Sequence, residues 1–218
     1  MRNILKKISA LGKSLSCVFI LGTFCLFAVG CQNQAGQSSL QADKGADIAT
    51  ENNSALLYSD ECITEREVVE AQKMWGDGIV RIGKVFSEQG DYSEEASDFI
   101  QEMYGYDLSS VLFKPTLASN DQFRSSFDAA LSYFVGGNEA YSEDKGFAIQ
   151  PYTKVKFDNV GIINNSCRMA VAMGNYFFTD LDGNETKVEY TFAYVKDKAG
   201  KLRIVTHQSS LPYNPSPN

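Results

Sequence analysis

The chain has 218 residues, 44% hydrophobic and 22% charged, with 20 Lys plus Arg against 27 Asp plus Glu and a formal charge of −7. That length suits one domain with a proper core, and the acidic balance argues against nucleic acid or anionic lipid headgroups as partners. A single histidine, His207, rules out a zinc site built on two or three imidazoles of one subunit.

Residues 1–30 carry Arg2, Lys6, Lys7 and Lys13 and no acid, followed by an apolar run from Cys17 to Val29. The run falls short of the roughly 20 apolar residues of a membrane span, so it predicts a signal peptide rather than a membrane helix. Ala28-Val29-Gly30-Cys31 resembles a lipobox, which predicts cleavage before Cys31 and lipidation of that cysteine. The expectation is an exported protein, tethered to a membrane on its periplasmic side. Gln32 is not the aspartate that commonly marks inner-membrane retention, which favours the outer membrane in a Gram-negative cell.

Without those first four cations, 16 basic residues face 27 acidic ones, a formal charge of about −11. Residues 31–55 are mostly Gln, Asn, Ser, Ala, Asp and Gly with little to bury, which predicts a flexible tether with a reach on the order of 25–30 Å. Residues 56–215 form the domain. It retains Cys62 and Cys167, whose spacing permits a disulfide in an oxidising compartment but does not require one.

The domain opens on a helix: Thr64 caps it, Glu67 completes a capping box, and Ile63 and Val68 stand at the staple positions. Val68, Ala71, Trp75, Ile79, Ile82 and Phe86 continue the helical period, with Gly76, Gly78 and Gly83 allowing close packing. A second helix is predicted from about Ser93 to Tyr104, stopped by Gly105. A third is predicted with Asn120 as cap, a stripe of Phe123, Phe127, Leu131 and Phe134, and Gly136-Gly137 as its stop.

Beyond Gly146 the period becomes 2. Phe147–Tyr152, Thr153–Ile163, Arg168–Thr179, Thr186–Lys196 and Leu202–Ser209 read as strands, the last three joined by turns at 180–184 and 197–201. Helices followed by an antiparallel meander predict an α+β fold, a curved sheet wrapped round helices. Asp180-Leu181-Asp182-Gly183-Asn184-Glu185 begins like a calcium loop, but Lys187, Val188 and Glu189 run directly into a strand, so a turn is preferred.

Simple alternation along the last strand places Arg203, Val205, His207 and Ser209 on one side, with Leu202, Ile204, Thr206 and Gln208 on the other. Imidazole can take a proton near neutrality, and a hydroxyl can hydrogen-bond a small oxyanion. Alone, His207 reads more readily as a strand cap or a satisfied core histidine than as a functional group, and Thr116 and Tyr133 are ordinary. Tyr133 does lie off the centre of its apolar stripe, so its hydroxyl can reach a polar pocket. Counting alone leaves open a metal site from Cys62, Cys167, His207 and carboxylates, though no ligand pair has a familiar spacing.

Several segments, taken in order, carry a resemblance. They are Trp75-Gly76 with Gly78–Gly83, Val111–Thr116, Ser132–Gly137, Glu143–Ile149, Ala172–Phe178, Val188–Phe192 and His207–Pro212. Together they resemble the iota-class carbonic anhydrases, relatives of the calcium/calmodulin-dependent kinase II association domain in the NTF2-like superfamily. The resemblance implies an NTF2-like cone, usually a homodimer, that hydrates carbon dioxide reversibly. It also implies a pocket of Thr116, Tyr133, His207 and Ser209. Relatives are described both as metal-free and as using manganese or zinc, and the histidine count here favours no metal cofactor. The family commonly reads His-His-Ser-Ser where this chain has His207-Gln208-Ser209-Ser210. Gln208 alternates away from the pocket, so the change puts in doubt only a role for the second imidazole.

The mechanism expected has water held by the hydroxyls of Tyr133, Thr116 and Ser209, with His207 accepting or relaying its proton. Two rival readings stand beside it. One is a non-catalytic ligand-binding or assembly module of the same fold; the other is an isomerase or dehydratase, which would need a carboxylate base inside the cone.

Overall fold

A computed structural model describes residues 58–215. The expected signal peptide, Cys31 and the tether (1–55) lie outside the described residues. Helix α1 (Glu65–Ser87) starts as its sequence predicts: the Thr64 hydroxyl accepts from the Glu67 N–H, and the Glu67 carboxylate accepts from the Thr64 N–H. Val68, Ala71, Trp75, Ile79 and Ile82 are buried along one stripe. Phe86, expected in that stripe, is 39% exposed and instead packs edge-on against Tyr92.

Helix α2 (Tyr92–Met103) is capped by Asp91 and packs against α1 through Phe99, whose ring lies where a methyl on Gly78 would stand, 2.4 Å away. The glycine is thus a packing requirement. Strand β1 (Leu112–Lys114), helix α3 (Phe127–Val135) and strands β2 (Lys154–Ile163), β3 (Met169–Thr179), β4 (Glu185–Lys196) and β5 (Leu202–Ser210) follow. The sheet order is β1-β5-β4-β3-β2, antiparallel except that β1 runs parallel to β5.

The fold is α+β, as expected, and the sheet bends round α1. The Trp75 indole lies 5.6–6.3 Å, centroid to centroid, from Phe157 of β2, Tyr176 and Phe178 of β3, Phe192 of β4 and His207 of β5. Four strands laid flat would span about 14 Å, so one side chain reaches all four only because the sheet curls toward it.

Three expectations are corrected. Asn120 does not cap α3; Ser126 does, and Phe123 sits in the preceding loop, 59% exposed. Residues 147–152 form no strand, because the N–H groups of Phe147 and Ala148 donate to the α3 carbonyls of Tyr133 and Phe134, after Gly146 turns the chain at φ 78°. Alternation also fails midway along β5. Tyr194 pairs with Ile204 and Ala193 with Thr206, leaving Val205 as an extra residue. Ile204 therefore joins His207 on the helix side, while Val205 packs with Ala193 and Val195 on the opposite face. Asp180 folds as a turn, its carboxylate accepting from the N–H groups of Asp182 and Asn184.

Cys62 and Cys167 form a disulfide joining the approach to α1 to the β2–β3 connection. It closes a loop with a sequence separation of 105 residues, and a cross-link of that span restricts the unfolded chain by about 4.7 kcal/mol in the chain-entropy model.

Candidate active site

Parallel pairing of β1 with β5 puts Phe113 beside His207, and their rings stack at 4.5 Å and 17°. Two residues beyond β1, Thr116 reaches the next inward residue of β5, and its hydroxyl donates to Ser209 Oγ at 2.9 Å. Tyr133, on α3, is 6% exposed and stacks on Phe147. Its hydroxyl accepts from the Leu117 N–H at 3.4 Å. Helix α3, β1 and β5 thus bring Thr116, Tyr133, His207 and Ser209 to one cavity of about 90 Å³. Gln208 points to the other face, where its side chain donates to Ser210.

The sequence alone does not single out the other lining residues, of which three carry polar atoms that bear on the site: Tyr176, Trp75 and Tyr152. Tyr176 places its hydroxyl 3.5 Å from His207 Nε2, and Trp75 and Tyr152 form part of the wall. Behind the wall lies Tyr104, which α2 releases into extended backbone that bridges to Ile204. The Tyr104 hydroxyl accepts from Trp75 Nε1–H at 3.0 Å and lies 2.8 Å from His207 Nδ1.

The electrostatics of the cavity are those of neutral groups. None of its lining residues is an aspartate, glutamate, lysine or arginine. Burial pushes His207 well below the ordinary histidine value, because no anion compensates the lost hydration of an imidazolium. Burial raises the Tyr133 phenol, and it raises that of Tyr176 against the smaller opposing pull of the Ser209 and Thr116 hydroxyls. The cavity therefore offers hydroxyl and imidazole hydrogen bonds to a small uncharged molecule, and donors to an oxyanion formed from it.

The loop carrying Thr116 and Leu117 is held by a buried charge network. Arg124, fully buried, pairs with Asp144 at 2.6 Å, and Asp144 accepts from Ser132, next to Tyr133. Glu143 accepts from the N–H groups of Ser119, Asn120 and Asp121. These bonds, with the Ser119 hydroxyl first among them, hold its carboxyl down at about 2. This explains the Glu143-Asp144 pair in sequence terms: both carboxylates clamp the loop and neither enters the cavity.

The donors suit a metal poorly. The two cysteines are joined to each other, His207 Nδ1 faces Tyr104, and among the described residues no three His, Cys, Asp or Glu side chains converge.

The family model for metal-independent carbonic anhydrases matches residues 66–211. A metal-independent carbonic anhydrase from Nostoc sp. (strain PCC 7120) is 42% identical over 175 residues, which is 79% of this chain and 85% of that protein. The crystal structure of a cyanobacterial iota-carbonic anhydrase complexed with bicarbonate is also similar. It is 44% identical with a TM-score of 0.69, over 71% of this chain and 95% of that one.

Two outcomes follow from this geometry. Asp144→Ala should lower stability by about 3–5 kcal/mol in urea unfolding, since it strands the buried guanidinium; a loss under about 1 kcal/mol would contradict the clamp. His207 is held neutral, so below its unfolded value near 6.5 the unfolded chain binds the extra proton. Stability should be complete above about pH 6.5 and fall as pH drops below it, by up to about 1.4 kcal/mol per unit, before carboxylates titrate. A His207→Gln variant should lose that slope; an unchanged slope would assign it elsewhere.

Fold, cavity and likeness converge on one conclusion: the chain belongs to the metal-independent carbonic anhydrases.

Proposed function

We propose that Thr116, Tyr133, His207 and Ser209 catalyse the reversible hydration of carbon dioxide, the reaction of the family, in the cavity between α3, β1 and β5. The observation that carries the assignment is the uncharged lining: an apolar, aromatic wall for a neutral linear molecule, with hydroxyls gathered at one side. Water held by the Thr116–Ser209 pair attacks the carbon, forming the new C–O bond as one π pair withdraws to a carbon dioxide oxygen. The hydroxyl pair passes the departing water proton toward solvent, each oxygen accepting one proton while giving up another, so neither side chain ionises. Tyr133 and the imidazole donate to the oxygens that become bicarbonate. Without a metal to acidify water, the rate comes from positioning and from donors that are already oriented. The isomerase alternative lacks its carboxylate base in the cavity lining.

We also infer that the protein is exported and held to a membrane through lipidated Cys31, and that it works as a homodimer. The Cys62–Cys167 disulfide suits an oxidising compartment. Ile163, Met169 and Met173 are 44–64% exposed on the sheet face away from the helices, an apolar surface that suits a second copy.

Carbon dioxide hydration by the purified whole chain tests the assignment. Activity should survive chelator, and Ser209→Ala or Thr116→Val should lower kcat/KM by roughly 10²-fold, the usual effect of losing one oriented donor. Both variants retaining full activity would show that the chemistry lies elsewhere, and loss of activity on chelation would overturn the metal-independent mechanism.

A further inference from the structure

We propose that Trp75 and Tyr104 are positioning residues that hold His207 in its Nε2–H tautomer, so that the imidazole works as a hydrogen-bond donor to the cavity and not as a base. The inference takes its purpose from the anhydrase assignment, but its geometry stands without it.

The derivation starts at the indole. Trp75 Nε1–H can only donate, and its partner is the Tyr104 hydroxyl at 3.0 Å. That hydroxyl has one other partner among the described residues, His207 Nδ1 at 2.8 Å. With one lone pair of Tyr104 committed to the indole, two arrangements remain. In the first, Tyr104 O–H donates to a bare Nδ1, and the one hydrogen left over, Nε2–H, is on the cavity side of the ring, where water or a bound oxygen can accept it. In the second, Nδ1–H donates to Tyr104, which then accepts twice and leaves its own hydrogen without an acceptor, in a site where Tyr104 is 1% exposed. A buried donor without a partner is disfavoured. The chain Trp75→Tyr104→His207 is therefore one-way, and it places the ring hydrogen on Nε2.

Nε2 faces the cavity. The nearest oxygen there is the Tyr176 hydroxyl at 3.5 Å, the outer limit of a hydrogen bond, so the Nε2–H remains available to a bound oxygen. The groups packed on the ring are Trp75 from α1, Tyr104 after α2, Phe113 from β1, Tyr176 from β3 and Phe192 from β4. None is charged, so nothing nearby would stabilise an imidazolium. The ring is neutral, with its donor aimed inward. It polarises carbon dioxide and holds an oxygen of the product without taking the water's proton.

Because the chain contains one histidine, 15N labelling of histidine in the whole protein reports this site alone. The ring-nitrogen spectrum near neutral pH should show a neutral Nε2–H tautomer in at least about tenfold excess over Nδ1–H. Predominant Nδ1–H or imidazolium would overturn the proposal, and the wild-type spectrum decides this without any variant. Tyr104→Phe should release the preference, raising the Nδ1–H population several-fold, while Trp75→Phe should have a smaller effect because Tyr104 can still donate. An unchanged tautomer ratio in folded Tyr104→Phe would remove Tyr104 from the role. The spectrum reads the tautomer whether or not the protein hydrates carbon dioxide, so failure of the anhydrase assignment and failure of this one are separable.

Discussion

The Trp75 indole is the point on which the rest of the structure is assembled. Its faces and edges meet aromatic rings from β2, β3, β4 and β5, and its one polar atom is tied to Tyr104. A residue of this size, 1% exposed, can be satisfied only if the sheet curves round it and a hydroxyl arrives to accept its N–H. The curve creates the concave side that holds the cavity, and the hydroxyl that meets the indole also meets His207. Packing and chemistry thus share one set of contacts, and the ring of His207 sits between them, stacked on Phe113 and hydrogen-bonded to Tyr104.

The cavity built on this frame combines a dry wall with neutral donors. Its charged neighbours are kept outside: Arg124, Asp144 and Glu143 make their bonds to one another, to Ser132 and to the 116–126 loop, and none of them lines the cavity. For an uncharged substrate such separation is useful, because a carboxylate in the cavity would attract cations and repel the bicarbonate product. Burial also fixes the protonation states. The imidazole is kept from gaining a proton and the phenols from losing one, so the site presents the same hydrogen-bond pattern across the physiological range.

What the sequence revealed depended on how local each signal was. The start of α1 was readable because Thr64 and Glu67 cap within four residues, and β2 to β5 because period 2 runs uninterrupted over most of their length. The cap of α3 was misplaced because Asn120 and Ser126 are both competent caps, and only the claim of Glu143 on the 119–121 backbone decides between them. The Val205 bulge inserts one residue without a compositional mark, so alternation assigned Arg203 and Val205 to the wrong face while remaining correct for His207 and Ser209. Strand β1 is three residues long, too short to show a period. Thr116 and Tyr133 gained meaning only through resemblance, since their convergence on Ser209 and Leu117 is a tertiary fact. Trp75 and Tyr104 looked like core and a helix end. The available clue was that a buried indole N–H and a buried phenol must each find a partner.

The central claim is that hydration here proceeds on neutral groups, with His207 as a donor. Every titratable side chain of the cavity is moved away from neutrality, His207 downward and Tyr133, Tyr152 and Tyr176 upward. The most direct measurement is the pH dependence of kcat/KM for carbon dioxide hydration in chelator-treated protein. The account predicts a flat profile between about pH 6.5 and about 9, the interval left empty by those displacements. A sigmoidal rise with an inflection inside that interval would contradict it, because it would reveal an ionising base in the free enzyme.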